Sequence, residues 1–310
     1  YSVKQKKIIS KYKFYKKKYK QFKKEINFIV EKNIIYSSDN LGFLYAYNFV
    51  ENKILWAKNY KIPFRSNLKI SGGKLIAANQ NNNLFFFDKK DGKILKSVPT
   101  EEINLKNEFK NNLLLKNKFL YFLNNYGSLY SLDTQSMNLQ WFLNLNQSPD
   151  INSSNLFFST QMINFKNYLV ISTNNYLYVI NSTNGSILYK KNFTTKIKPL
   201  IHNNYLFVIT DNNYLISLDL QNGKILYSFN LDQKISEFLN LKKKNAIYRD
   251  LMIADDKLLI FLENSYIIKL ELNGKIEFID RLPTKLYSSP IFSNGLLLFL
   301  DSKNKLSVVN

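Results

Sequence analysis

Few side chains in this sequence are of the kind that do covalent chemistry, and they do not cluster. The one histidine, His202, stands in the stretch Lys198-Pro-Leu-Ile-His-Asn-Asn204. A catalytic imidazole needs a second group to orient it and a third to act upon, and no Gly-x-Ser-x-Gly, phosphate-loop or dinucleotide glycine pattern accompanies it. His202 is therefore expected at a turn that opens a repeat. The adjacent aspartates Asp255-Asp256 could offer oxygen ligands to a hard cation, but they directly precede the apolar run at Leu258 and fit a solvated turn better. The chain has no cysteine, which excludes disulfides, thiolate metal sites and a cysteine nucleophile. No catalytic, cofactor-binding or metal-binding residue is expected.

Residues suited to binding are easier to find. Lys and Arg number 44 against 23 Asp and Glu, a formal charge of +21 that attracts anionic partners. Only three of the 44 are Arg, which argues against a dedicated reader of nucleic-acid bases. The most basic stretch, residues 11–24, interleaves lysines with Tyr12, Phe14, Tyr15, Tyr19 and Phe22. Such a segment could track a nucleic-acid backbone, meet anionic lipid, or guard a sheet edge with lysines. Four irregular links are candidate contact loops: 62–67, 99–102, 147–155 and 239–245. In the first, Arg65 stands beside Phe64, an arginine–aromatic pairing common at the centre of protein interfaces.

These links separate copies of a repeat. Five-residue runs ending in Asp or Asn recur at 44–48, 84–88, 129–133, 177–181, 215–219 and 306–310, with a weaker copy at 267–271. A turn follows at Asn52, Gly92, Met137, Gly185, Gly223 and Gly274. Asp-Gly and Asn-Gly tolerate positive φ and are strong hairpin signals. Met137 breaks the pattern, so its turn is expected to differ in geometry. Four residues beyond each turn stand Trp56, Trp141, Tyr189, Tyr227 and Phe278, with Lys96 the exception. A ring at one register in nearly every copy points to packing between neighbouring sheets. Asp88, Asp133 and Asp219 are explained by turn chemistry, a carboxylate capping the hairpin that follows.

Before each Asp-ending run lies a continuous apolar run, as in Tyr168-Leu-Val-Ile171 and Tyr205-Leu-Phe-Val-Ile209. Such runs suit strands buried on both faces. Aromatic content of 15% also favours strands. The unit is thus strand, Asn-rich turn, strand, Gly turn, aromatic strand and link, and one further edge strand makes a four-stranded antiparallel sheet. The turns recur 38 to 51 residues apart, the length of a propeller blade. The expected fold is all-β: a single β-propeller domain over 1–310 with seven blades, or eight if both ends extend further. The basic segment 1–27 is expected to supply an outer strand that closes the last blade. The sequence starts at Tyr1, so any signal peptide or lipid anchor would lie upstream of it.

At Leu44 to Trp56 and Leu129 to Trp141 the pattern Leu-Tyr-x-Leu-Asp-x-x-x-Gly-Lys-x-Leu-Trp resembles the PQQ-type propeller repeat, and Leu215 to Tyr227 fits with a tyrosine. The segment Ser288-Ser-Pro-Ile-Phe-Ser-Asn-Gly-Leu-Leu-Leu-Phe299 resembles the opening strand of such blades. The resemblance covers about residues 30–310. One branch, the quinoprotein dehydrogenases, implies pyrroloquinoline quinone, calcium and an adjacent Cys-Cys pair, which is missing here. The other, the BamB-type lipoproteins, is more similar in length and simplicity. It implies a non-enzymatic, cofactor-free scaffold on the periplasmic face of the outer membrane. The implied partners are the β-barrel assembly insertase, other subunits of that complex and unfolded barrel precursors. An anionic lipid surface is a further expected contact, and no specific nucleic acid is expected. A PQQ-type quinoprotein dehydrogenase or a degenerate relative, and an intracellular propeller, are the alternatives.

Overall fold

The computed structural model describes residues 2, 5, 7–19, 21–102, 110–146, 157–242, 245–293, 295–303 and 305–309. Its fold is an all-β, seven-bladed propeller with four-stranded antiparallel blades. In blade 1, β1 (Ile26–Glu31), β2 (Ile34–Asp39), β3 (Phe43–Asn48) and β4 (Lys53–Asn59) pair in chain order. The same order recurs in blade 2 (69–98) and blade 3 (112–144), which complete the first compact unit, residues 1–158. The second unit, residues 159–310, holds blades 4 (163–191), 5 (200–230), 6 (248–281) and 7 (291–309). Among the described residues blade 7 has three strands, all from 291–309.

The second and third strand of each blade are the paired apolar runs of the sequence, and in most blades they are almost wholly buried. Alternate residues serve alternate neighbours, because successive side chains on a strand point to opposite faces. Leu75 and Ala77 of blade 2 pack with Tyr36, Leu44 and Ala46 of blade 1. Their neighbours Ile76 and Ala78 pack with Leu120, Phe122 and Leu132 of blade 3. Blades 4, 5 and 6 are joined by the same rule. Each such side chain contributes about 1.5–3 kcal/mol of hydrophobic stabilisation, so the core is a series of inter-sheet layers.

The Asp-ending strands close as turn chemistry requires. The Oδ1 atoms of Asp88, Asp133 and Asp219 accept from the amides of Lys90, Gln135 and Gln221, each at 2.8 Å. Left-handed backbone follows at all six turn positions: φ is 55° at Asn52, 73° at Gly92, 57° at Met137, 77° at Gly185, 72° at Gly223 and 88° at Gly274. The expectation that Met137 would change the geometry is corrected. The hairpin register imposes the left-handed conformation even on methionine, at a local cost of about 1–2 kcal/mol.

The ring positions join blade to blade. The Trp56 indole N–H donates to the Lys89 carbonyl of blade 2 at 3.1 Å, and a side chain at Gly92 would overlap the Trp56 ring. Tyr189 of blade 4 donates to the Leu220 carbonyl of blade 5 at 2.8 Å and lies against Gly223. Tyr227 of blade 5 donates to the Leu272 carbonyl of blade 6 at 2.9 Å and lies beside Gly274. Each of these three rings thus sits on the turn of the next blade. The two exceptions meet in one such place: Lys96 of blade 2 donates to the Asn138 side chain at 3.0 Å, beside Met137 in the turn of blade 3. In all six four-stranded blades the register between third and fourth strands shifts at this position, which Lys96 holds in blade 2 and a ring in the other five. The bulge re-aims that side chain out of strict alternation.

Part of the N-terminal segment packs on blade 1. The described pairings within 1–27 are a Ser2–Lys7 bridge and β1. Residues 10–19 run across the face of blade 1 rather than forming a strand there. Tyr12, Phe14, Tyr15 and Tyr19 pack on Phe43, Tyr45 and Tyr47, with centroids 5.0–6.4 Å apart. Tyr15 donates to the buried Asp39 at 2.7 Å. Burial and that carboxylate together push the Tyr15 hydroxyl well above its ordinary pKa.

Candidate interaction surface

Of the groups expected to be chemically idle, the structure brings together His202 and Asp256. His202 ends the first strand of blade 5, and its Nε2 lies 3.3 Å from Asp256 Oδ1. Asp255 and Asp256 form a hairpin turn, with φ of 49° and 54°, and the Asp256 side chain is 84% exposed. Among the described residues no three His, Asp or Glu side chains converge to hold a metal ion. The cysteine pair of the quinoprotein branch has no counterpart, so the residues present do not fit a calcium–quinone centre.

Phe64 and Arg65, expected at a contact surface, lie inside the fold. Phe64 is 2% exposed, in the core between blades 1 and 2, with Tyr60 and Phe87 around its ring. Arg65 Nη1 pairs with Glu25 at 2.9 Å, and its side chain is 12% exposed. Its backbone is also held, donating to Ala78 and accepting from Asn111. The short link and this backbone pairing turn both side chains inward.

The link 99–102 is likewise tied down. The Glu101 carboxylate accepts from Ser128 at 2.9 Å, from Asn124 at 3.0 Å and from the Tyr130 hydroxyl. Burial raises the Glu101 pKa, but these donors outweigh it and leave the group below its usual range. The link 147–155 lies outside the described residues. Tyr12, Phe14, Tyr15 and Tyr19 of the basic segment pack on blade 1, while Phe22, Lys11, Lys13, Lys16 and Lys17 are exposed.

The link between blades 5 and 6 is different. It contains a helix, α1 (Leu231–Leu239), capped by Asn230, whose side chain accepts from the Gln233 amide at 3.0 Å. Asn240 ends it in the left-handed conformation. Leu231 is buried in the core, and Ile235 packs against it. Asp232 is buried too, accepting from Tyr248 at 2.5 Å, Asn213 at 2.5 Å and the Ala246 amide at 3.1 Å. Burial, then this carboxylate, drive the Tyr248 hydroxyl far above its usual range. One side of the link is thus fixed. The other carries Phe238 and Leu239, both exposed, Leu241 at 66% and Ile247 at 61%. Lys234 and Lys242 flank them. The sequence marked 239–245 only as an irregular link; Asn230, Asp232 and Asn240 are the capping signals that would have found the helix.

No helix among the described residues is long and apolar enough to cross a membrane. The repeat, the bulged fourth strand and the ring-on-turn contacts define a propeller of the PQQ-like repeat class. The family model described as outer membrane protein assembly factor BamB matches residues 14–229, and the chain belongs to that family. No characterised protein matches the sequence directly. Among solved structures, BamB from Moraxella catarrhalis superposes with a TM-score of 0.72 at 13% identity, covering 89% of this chain and 81% of that one. The C-terminal WD40 domain of Sif2 gives 0.61 at 11% identity, over 91% and 79%. The computationally designed Ika8 protein gives 0.51 at 10% identity, over 91% and 94%. At these identities the likeness is one of fold.

Proposed function

We propose that this chain is a non-enzymatic scaffold that assists assembly and insertion of outer-membrane β-barrel proteins, working at the periplasmic face of the outer membrane. Membership of the BamB family supports this reading. Its partners are the barrel insertase and other subunits of that assembly complex, with unfolded barrel precursors as clients. The lysines of the N-terminal segment supply a basic surface for anionic headgroups.

The observation that carries the reading is the α1 link. Four large apolar side chains are exposed on a link that buried Asp232 anchors through the Ala246 amide and the Tyr248 hydroxyl. Exposed apolar side chains on an anchored element are the composition of an interface centre, and a preordered surface binds with little ordering cost. Crosslinking and pull-down of the full-length protein from its native membrane tests it. Wild type should recover the barrel insertase, and a Phe238→Ser/Leu241→Asp variant should recover at least tenfold less with unchanged melting temperature. Recovery of a redox partner with bound quinone in place of the insertase would defeat the proposal.

A further inference from the structure

A second feature, independent of the α1 patch, lies between blades 4 and 5. A cavity of about 660 Å³ opens between the turns that join the second and third strands and the link that follows blade 4. That size falls within the range of small-molecule sites, about 300–1,000 Å³. Its lining is unusual for this chain. None of the 44 basic residues lines it, and Asp211 is its one charged residue. The Asp211 carboxylate is already engaged by the Thr194 hydroxyl. Asn175, Asn192 and Asn212 line it with exposed side-chain amides that make no hydrogen bond within the described structure. Tyr214 presents an exposed ring beside them, while the Tyr176 ring is covered by Lys190 Nζ at 4.5 Å.

The chemistry of this lining selects a ligand class. Without a cation in its lining it offers no charge partner to phosphate or to an anionic headgroup, and the Asp211 carboxylate opposes one. The backbone at its rim is committed: Thr173 donates to Tyr176, Asp211 to Thr194, Asn213 to Thr210 and Leu231 to Asn213. An extended peptide docks mainly through free backbone donors and acceptors, and few remain there. What is free is three planar amides, each both donor and acceptor, and one aromatic face. Vicinal hydroxyls answer to the amides, and the C–H face of a pyranose ring answers to the tyrosine. We propose that the cavity between blades 4 and 5 binds a short neutral oligosaccharide, with Asn175, Asn192 and Asn212 pairing its hydroxyls and Tyr214 stacking on a sugar ring.

Titration of the full chain with a panel of neutral trisaccharides, built from glucose, galactose, mannose and N-acetylhexosamine, tests this. Calorimetry and the side-chain amide resonances of asparagine provide the readouts. At least one trisaccharide should bind saturably, with a dissociation constant of about 1 mM or tighter. Asn192→Leu/Asn212→Leu should weaken it at least tenfold, and Tyr214→Ala should weaken it more than Tyr214→Phe. All these positions are exposed, so circular dichroism should match wild type. Failure of the whole panel to saturate would overturn the proposal, as would equal binding by the double variant. Displacement of these resonances by a neutral extended peptide, with no saccharide effect, would also overturn it.

Discussion

At Gly92 the backbone and a neighbouring ring both oppose a side chain. Its φ is 73°, and a Cβ there would fall 2.7 Å from the Trp56 ring. Gly295 shares the backbone requirement, with φ of 76°, but has open space around it. Gly92→Ala should therefore lower unfolding free energy by about 2–3 kcal/mol, against about 1 kcal/mol for Gly295→Ala. Urea denaturation of the two variants measures the overlap as the difference. Lys96 and Met137 give the complementary test. Lys96→Trp alone meets a methionine where a ring needs bare backbone, and Met137→Gly alone leaves the seat empty. Together they should restore the contact, with a favourable coupling of about 1 kcal/mol in a double-mutant cycle. The sequence showed both exceptions, but not that they face each other, because residue offsets within one blade do not reveal which blade receives the ring.

Among elements, the inner strands were the most legible, since runs such as Leu206–Ile209 are apolar on both faces and can only be internal. The register shift at each ring was not, because a bulge leaves no mark on residue types. Nor was α1, whose nine residues are too few for a 3.6-residue period to stand out beside the strands. What holds that helix is tertiary. Asp232→Ala would leave the Tyr248 hydroxyl, the Asn213 amide and the Ala246 amide without their acceptor. The expected loss is about 2–4 kcal/mol, and Tyr248→Phe should cost only about 1 kcal/mol. Hydrogen exchange should show the protection of 231–248 falling first in Asp232→Ala. Uniform loss across all blades would mean that the carboxylate supports the fold and not this link.

For the molecule as a whole, tyrosine is the element of pH dependence. Burial lifts the hydroxyls of Tyr36, Tyr60 and Tyr227 to about 12, and those of Tyr15, Tyr45, Tyr130, Tyr189 and Tyr248 higher still. A raised folded pKa means that the native state holds protons the unfolded chain gives up near pH 10. Their contribution is complete below that pH and is lost as pH rises towards 12 and beyond. Absorbance near 295 nm should show a group of tyrosines that ionise late, in step with loss of circular dichroism. Ionisation of all tyrosines near pH 10 with the fold intact would contradict these burials. The fold was legible from the repeat, since its length and turn spacing admit few architectures, and the family only from the resemblance carried by Leu44 to Trp56 and Leu129 to Trp141. The surface was not: Phe64 and Arg65 had the composition of a contact site, but only the link's path shows that they turn inward.

The direction of the ring contacts has a consequence for how the chain is made. From blade 1 to 2, and from 4 to 5 to 6, the ring belongs to the earlier blade and its seat to the later one. During synthesis each of these blades emerges from the ribosome with its indole or phenol exposed. The seat follows only when 31 to 45 further residues have been made, roughly 2–9 s later at ordinary elongation rates. In that interval the nascent chain carries an aromatic handle at its growing end, which a chaperone could hold and which the next blade displaces.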